Sequence, residues 1–160
     1  MVYHNIPPVF DKYSEVLILG SFPSVKSREV QFFYGHSQNR FWKVISTIYD
    51  CPVPNDTPSK KKLLLDNRIA LWDVIGSCEI NGSSDSSIRN AVPNDIAALV
   101  EKTGISRIFA NGATSYNMYN RFCRDSVGID AVKLPSTSPA NAAYSLDRLV
   151  SEWKSHLLSV

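Results

Sequence analysis

The sequence predicts an α/β fold, a three-layer α/β/α sandwich around a parallel sheet of roughly four strands. Three observations carry this expectation. Short, near-continuous apolar runs rich in β-branched or aromatic residues recur along the chain, as strands buried on both faces require. Between them the apolar spacing changes to the helical period, so successive strands join through right-handed crossovers. Each run then stops at small or turn-forming residues, as it must where strands of one direction open a crevice at their carboxyl ends.

Taken in order, residues 16–19 form the first strand, and Gly20, Ser21, Phe22, Pro23 and Ser24 form the turn that ends it. Phe41, Val44, Ile45 and Ile48 share one face of a helix over 41–49, and 61–66 is a shorter helix. The second strand, 69–74, carries Trp72 and Asp73 towards its end. The polar stretch 76–93 is too long for a plain connection and is a candidate functional loop. Asn94, with Pro93 before it and Gly104 behind, reads as the N-cap of a helix over 95–102. The third strand, 107–110, runs into Asn111, Gly112, Ala113 and Thr114, and a helix over 115–124 follows. The fourth strand, 131–134, leads into Pro135, Ser136, Thr137, Ser138, Pro139, Ala140 and Asn141. Leu146, Leu149, Val150, Trp153 and Leu157 stripe a last helix over 145–158. In a parallel sheet these four polar strand ends converge on one crevice.

Composition narrows the classes. One domain over 1–160 is expected, long enough to bury about two-thirds of its unfolded surface. No apolar run approaches the roughly 20 residues that span a bilayer, and no secretory signal opens the chain, so a cytoplasmic protein is expected. Cys51, Cys78 and Cys123 are widely spaced and fit buried thiols rather than a disulfide framework or a metal site. A net charge of +2 neither requires nor excludes nucleic acid. A local basic stripe would suffice, and Lys26, Arg28, Arg40 and Lys43 are the candidates. Lys60, Lys61 and Lys62 read as a solvated face.

Residues 32–42 concentrate Phe32, Phe33, Tyr34, His36, Gln38, Asn39, Arg40, Phe41 and Trp42. Aromatic faces for stacking, amides for a base edge or a water, and cations for phosphate suit a nucleobase pocket. Nucleophilic catalysis has little support: there is no GxSxG elbow, and His4 and His156 lie in terminal segments that read as surface. That leaves His36 as the histidine a serine hydrolase would use. Phosphate-cradling glycine motifs and metal-ligand clusters are absent from the sequence, so any chemistry is expected to need no cofactor.

GSFPS after the first strand, YGHSQNRFW shortly after, LWDV on the second, ANG on the third and LPSTSPAN on the fourth resemble the uracil-DNA glycosylase superfamily. The likeness is strongest to its hypoxanthine-DNA (deoxyinosine) glycosylase branch. It implies a uracil-DNA-glycosylase-like fold and a monomer acting on DNA that contains a deaminated base. The activity implied is a monofunctional, cofactor-free hydrolase of the N-glycosidic bond. Two departures from the uracil enzymes are informative. Phe22 stands where they carry a water-activating Asp or an Asn, and Leu134 stands near their catalytic His. In the hypoxanthine branch the catalytic role falls to the Asn of QNRFW, here Asn39; Ser37 replaces an expected Pro.

On this reading Asn39 orients the attacking water by accepting a hydrogen from it, its own NH2 group fixing the side chain. Gly20, Ser21, Phe22, Pro23, Phe33, Asp73, Asn111 and Gly112 form the base pocket. Phe22 or Phe33 stacks on the flipped base, and Asp73 accepts its N1–H. Ser24, Lys26, Arg40, Lys43, Ser136, Ser138, Pro139, Ala140 and Asn141 contact DNA. Plainer roles compete with these. Asn39 suits an N-cap of the helix that follows, Phe22 and Phe33 suit the core, Asp73 suits a turn cap, and Asn111-Gly112 suits a simple turn. Rival functions are a uracil- or mismatch-specific glycosylase, a non-catalytic binder of damaged DNA, and a small-molecule hydrolase on the same scaffold.

Overall fold

Five consecutive buried residues, Val16–Gly20, make β2, one of two inner strands of a parallel sheet. The computed structural model describes residues 1–158. β2 pairs on one side with β3 (Ile69–Asp73) and on the other with β6 (Arg107–Asn111), which pairs with β7 (Ala131–Leu134). The order is β3-β2-β6-β7, all parallel, and all four strands expected from the apolar runs are present. The pleat sends alternate side chains to opposite faces. Val16 and Ile18 enter one core with Phe41, Ile45, Leu64 and Trp153, whereas Leu17 and Leu19 enter another with Ile75, Leu99 and Tyr119.

The first core lies under α2 (Phe41–Ile48), α3 (Thr57–Asp66) and α7 (Leu146–Leu157). The second lies under α4 (Ile96–Glu101) and α5 (Ala113–Phe122). This is the three-layer sandwich that the sequence predicts. Helix starts follow local chemistry: the side chains of Asp56, Asp95 and Ser145 accept from the backbone N–H of Ser59, Ala98 and Arg148. Asp95, not Asn94, therefore caps α4, and the Asn94 amide instead donates to the Asp73 carbonyl (2.9 Å).

Several elements depart from expectation. Residues 76–93 are largely a hairpin rather than a loop: β4 (Ile75–Glu79) pairs antiparallel with β5 (Arg89–Pro93) and with β1 (Val2–Tyr3). Its strands escaped notice because β5 is mostly solvent-exposed and the ladder has register shifts, so no clean alternation appears in the residues. A short α1 (Val25–Val30) follows the first turn, and the helix after β6 breaks at Cys123 into α5 and α6 (Arg124–Val127). Cys51 is exposed, whereas Cys78 and Cys123 are buried as expected. His4 is not a surface residue: its ring is half-buried, bonds the Ile75 carbonyl at 2.9 Å and meets Phe22 edge-on at 5.2 Å.

Candidate active site

The carboxyl ends of the parallel strands border a cavity of about 380 Å³. Gly20, Ser21, Phe22, Pro23, Phe33, Asn39, Asp73 and Asn111 line it, and so do Ser24, Ser136, Ser138, Pro139 and Ala140, which the sequence reading gave to DNA contact. Ser27, Ser83 and Asp85 line it without having been singled out, and Tyr34, His36 and Thr137, named in the sequence reading without a role of their own in the pocket, line it as well. Gly112 and Asn141 border an adjoining cavity of about 590 Å³ instead. Lys26 and Lys43 are exposed and line neither cavity.

The turn after β2 is held from three sides. Val74 N–H donates to Gly20 O (2.8 Å) and Ile75 N–H to Ser21 O (3.0 Å), so the turn follows β3 into β4. Ser21 Oγ donates to Asp85 Oδ1 (2.9 Å), which docks the hairpin tip. Ser24 spends its hydroxyl as the N-cap of α1. Phe22 is only 7% exposed; its ring meets the His4 ring in a T-shaped contact and carries the Arg28 guanidinium 5.4 Å from its centre. Arg28 also donates to Gly82 O (2.6 Å), so it fastens the hairpin instead of extending a free basic stripe.

Asn39 lines the cavity and also holds the start of α2. Its Oδ1 accepts from Phe41 N–H (3.0 Å) at the start of α2 and from the Thr137 hydroxyl (2.9 Å). Both partners are donors, which fixes the orientation of the amide. The anchored atom is thus the oxygen, opposite to the sequence expectation, and Nδ2 is left without a hydrogen-bond partner among the described residues. Thr137, fully buried, receives Asn111 Nδ2–H on its hydroxyl (3.0 Å) and donates its own N–H to Asn111 Oδ1 (3.0 Å). Asn111 Nδ2 also donates to the Tyr34 hydroxyl (3.0 Å). Asn111 therefore braces its neighbours with every hydrogen of its amide in use. Tyr34 takes a left-handed backbone (φ 52°) to stack on Phe41 at 4.2 Å, and burial pushes its phenol pKa upward, so it stays neutral.

Arg40 is a second correction. Its guanidinium donates to the carbonyls of Tyr144, Ser138 (3.1 Å) and Asn141 (3.1 Å), and its backbone N–H donates to Thr137 O. It clamps the loop after β7 rather than offering a cation to phosphate. Within that loop Ser136 Oγ accepts from Ser138 N–H, Ser138 Oγ from Ala140 N–H, and Asn141 Nδ2 donates to Ser136 O, so the hydroxyls shape the turn. Gly112 (φ 94°) precedes α5, and a Cβ there would sit 3.1 Å from Ser136 Cβ. Phe33 is almost wholly buried, and its carbonyl accepts from Trp42 Nε1, so it is a core residue whose edge reaches the cavity.

Asp73 ends β3 opposite Gly20 in the ladder. It is 4% exposed, and its Oδ2 is buried with no hydrogen-bond partner among the described residues. Burial first, and then the charge of Asp85, push its carboxyl up to about 7. The approach is possible because Gly20 has no side chain: a Cβ there would collide with Asp73 Oδ1 and lie 3.1 Å from the Tyr34 hydroxyl. A turn-capping role for Asp73 has no hydrogen bond behind it.

The signals for the further lining residues were present but weak. Tyr34 sits within the aromatic cluster, Thr137 between two serines already singled out, and Asp85 within the long polar stretch. No group of three or more His, Cys, Asp or Glu among the described residues could hold a metal ion, and no described helix is long and apolar enough to cross a membrane.

Comparison with known proteins agrees with this arrangement. A family model, the uracil DNA glycosylase superfamily, matches residues 7–158. A hypoxanthine DNA glycosylase of Methanosarcina acetivorans is 35% identical over 155 residues, 96% of this chain and 97% of the relative. One of Methanosarcina barkeri is 30% identical, with 96% of each chain covered. The solution NMR structure of a candidate uracil DNA glycosylase from M. acetivorans superposes with a TM-score of 0.83 at 34% identity, covering 98% and 97% of the two chains. The chain belongs to the uracil DNA glycosylase superfamily.

Proposed function

We propose that the chain, acting as a monomer and as one domain over 1–160, is a cytoplasmic DNA-repair glycosylase that excises a flipped deaminated base, preferentially hypoxanthine. The single observation that carries this reading is the cavity. A stacking ring (Phe22), an amide N–H (Asn39 Nδ2) and a carboxyl with an unused oxygen (Asp73) meet where the parallel strands end. Two relatives named as hypoxanthine DNA glycosylases support the choice of base.

Cleavage of the N-glycosidic bond builds positive charge on the sugar and negative charge on the departing base. A nearly formed oxocarbenium ion needs a positioned water rather than a strong base. Asn39 Nδ2 donates to one lone pair of that water, leaving the other to meet the anomeric carbon. Phe22 stacks on the extruded base, and Asp73 meets the polar edge of the base at the buried end of the cavity. The adjoining cavity, which shares Asp85, Asn111, Ser136, Ser138 and Ala140 and adds Lys133, accommodates flanking nucleotides.

Purified protein is expected to release hypoxanthine from an inosine-containing duplex, with less release from uracil-, xanthine- or mismatched-thymine strands. Asn39→Ala is expected to stay folded and lose most of that release. Tight binding to inosine DNA with no release by the wild type would make the chain a non-catalytic binder.

A further inference from the structure

Two buried side-chain atoms lack a hydrogen-bond partner among the described residues: Arg40 Nε and Asp73 Oδ2. The first belongs to a guanidinium already bonded to three carbonyls. The second belongs to a residue that lines the cavity, and no described residue forms a hydrogen bond with it.

We propose that Asp73 is the general acid of the reaction, entering each cycle as the neutral carboxylic acid and passing its proton to a ring nitrogen of the departing base. The assignment rests on the glycosylase reading and goes beyond a base-edge contact. It follows from what surrounds the carboxyl. Among the described residues, the titratable side chains that line the cavity with it are Tyr34, His36 and Asp85, and no Lys or Arg lines it. Tyr34 approaches from the segment before α2 and stays a neutral phenol, His36 is exposed on that same segment, and Asp85 adds a carboxylate from the hairpin. Gly20, facing it across the ladder, carries no side chain, and Asn94 reaches only its backbone carbonyl. An ionised carboxylate here would have no Lys or Arg among the described lining residues to pair with and would repel the charge flowing onto the leaving base. The same burial and the same Asp85 charge hold the carboxyl up to about 7, so a protonated fraction is present at neutral pH.

The step balances as written. The N9–C1′ electron pair retreats into the purine, the Asp73 O–H bond breaks, and an N–H bond forms at N7. Hypoxanthine therefore departs neutral. The water oxygen bonds to C1′ and releases its proton to solvent, and the Asp73 carboxylate recovers a proton from solvent after the free base leaves. General acids placed in this way contribute about 10²–10⁴-fold.

Single-turnover release from inosine duplex, measured from about pH 5.5 to 8.5, tests the assignment. The wild-type rate is expected to be level on the acid side and to fall about tenfold per pH unit above roughly 7. Asp73→Asn is expected to bind the duplex with near wild-type affinity, to lose about 10²-fold or more in rate at pH 6, and to lack the alkaline limb. Asp85→Asn is expected to keep the limb but move it to lower pH, because the charge that raises Asp73 is gone. A wild-type rate that rises through pH 7, as an ionised acceptor of N1–H requires, overturns the assignment, and so does a level profile. Full activity in Asp73→Asn overturns it too, as does a limb abolished by Asp85→Asn. If Asp73→Asn does not fold, the wild-type profile decides alone. No release by the wild type at any pH overturns the glycosylase reading and this assignment together.

Discussion

Two parts of one cavity are built on opposite principles. Around Asn39, Thr137 and Asn111, hydrogen bonds close on one another: Asn111 donates to Thr137 and Tyr34, and Thr137 donates to Asn39, whose oxygen also holds the first turn of α2. At Asp73 the reverse holds, a buried carboxyl with one oxygen facing no partner and its protonation pushed towards neutral pH. The first part is closed by its own hydrogen bonds, and on the proposed mechanism it aims one amide. The second is left incomplete, and on that mechanism it gives up stability for chemistry. The difference predicts that substitutions in the two parts move stability and rate in different combinations.

The largest effect is expected from Asn39→Asp. The carboxylate keeps both donors that Oδ1 now receives and loses only the N–H that faces the cavity. Removing one preorganised donor lowers rates by about 10²–10³-fold. A single-turnover assay beside a thermal melt should therefore show a large loss of rate with a small change in melting temperature. An undiminished rate would mean that the oxygen, not the nitrogen, is the working atom.

Arg40→Ala comes next and separates clamp from phosphate contact. Losing a guanidinium that serves three carbonyls is expected to lower stability by about 3 kcal/mol in urea unfolding. The slope of duplex affinity against salt should stay the same. A slope reduced by about one would restore the phosphate role.

Asp73→Asn should stabilise the protein while slowing it. Between roughly pH 4 and 7 the folded state keeps a proton that the unfolded chain releases, so stability falls as pH rises through that window. The gain in melting temperature over wild type is expected to be several degrees at pH 8 and to shrink towards zero near pH 4. A pH-independent difference would count against a neutral Asp73. The smallest effect is expected from Thr137→Val, which leaves Asn39 and Asn111 each short of a partner. About 1–3 kcal/mol of stability and roughly a tenfold loss of rate should follow, measured together on one preparation.

The sequence was most legible where burial dictates residue type. The four strands of the parallel sheet announce themselves because most of their positions are covered on both faces and carry apolar residues, fully so in β2 and least so in the edge strand β7. The hairpin of β4 and β5 did not, since exposure lets its residues vary and register shifts blur the period. The site divides in the same way. Strand ends and the aromatic cluster marked its location, but which atom of Asn39 is anchored depends on Thr137, 98 positions away. Arg40 looked like a phosphate ligand because a cation beside aromatics commonly is one, and only its contacts with Ser138, Asn141 and Tyr144 show otherwise. Asp73 could be placed at a strand end, but its protonation depends on Asp85 and on the missing side chain at Gly20.

The hairpin has a consequence for how such a molecule can change. Its strands belong to a separate antiparallel sheet, and its tip reaches the cavity through Ser83 and Asp85, fastened by the Arg28–Gly82 and Ser21–Asp85 bonds. Replacing residues at that tip would reshape the mouth of the cavity while the parallel ladder under Asp73 keeps every rung. New base preferences can therefore be acquired one exposed residue at a time, without passing through an unfolded intermediate in sequence space.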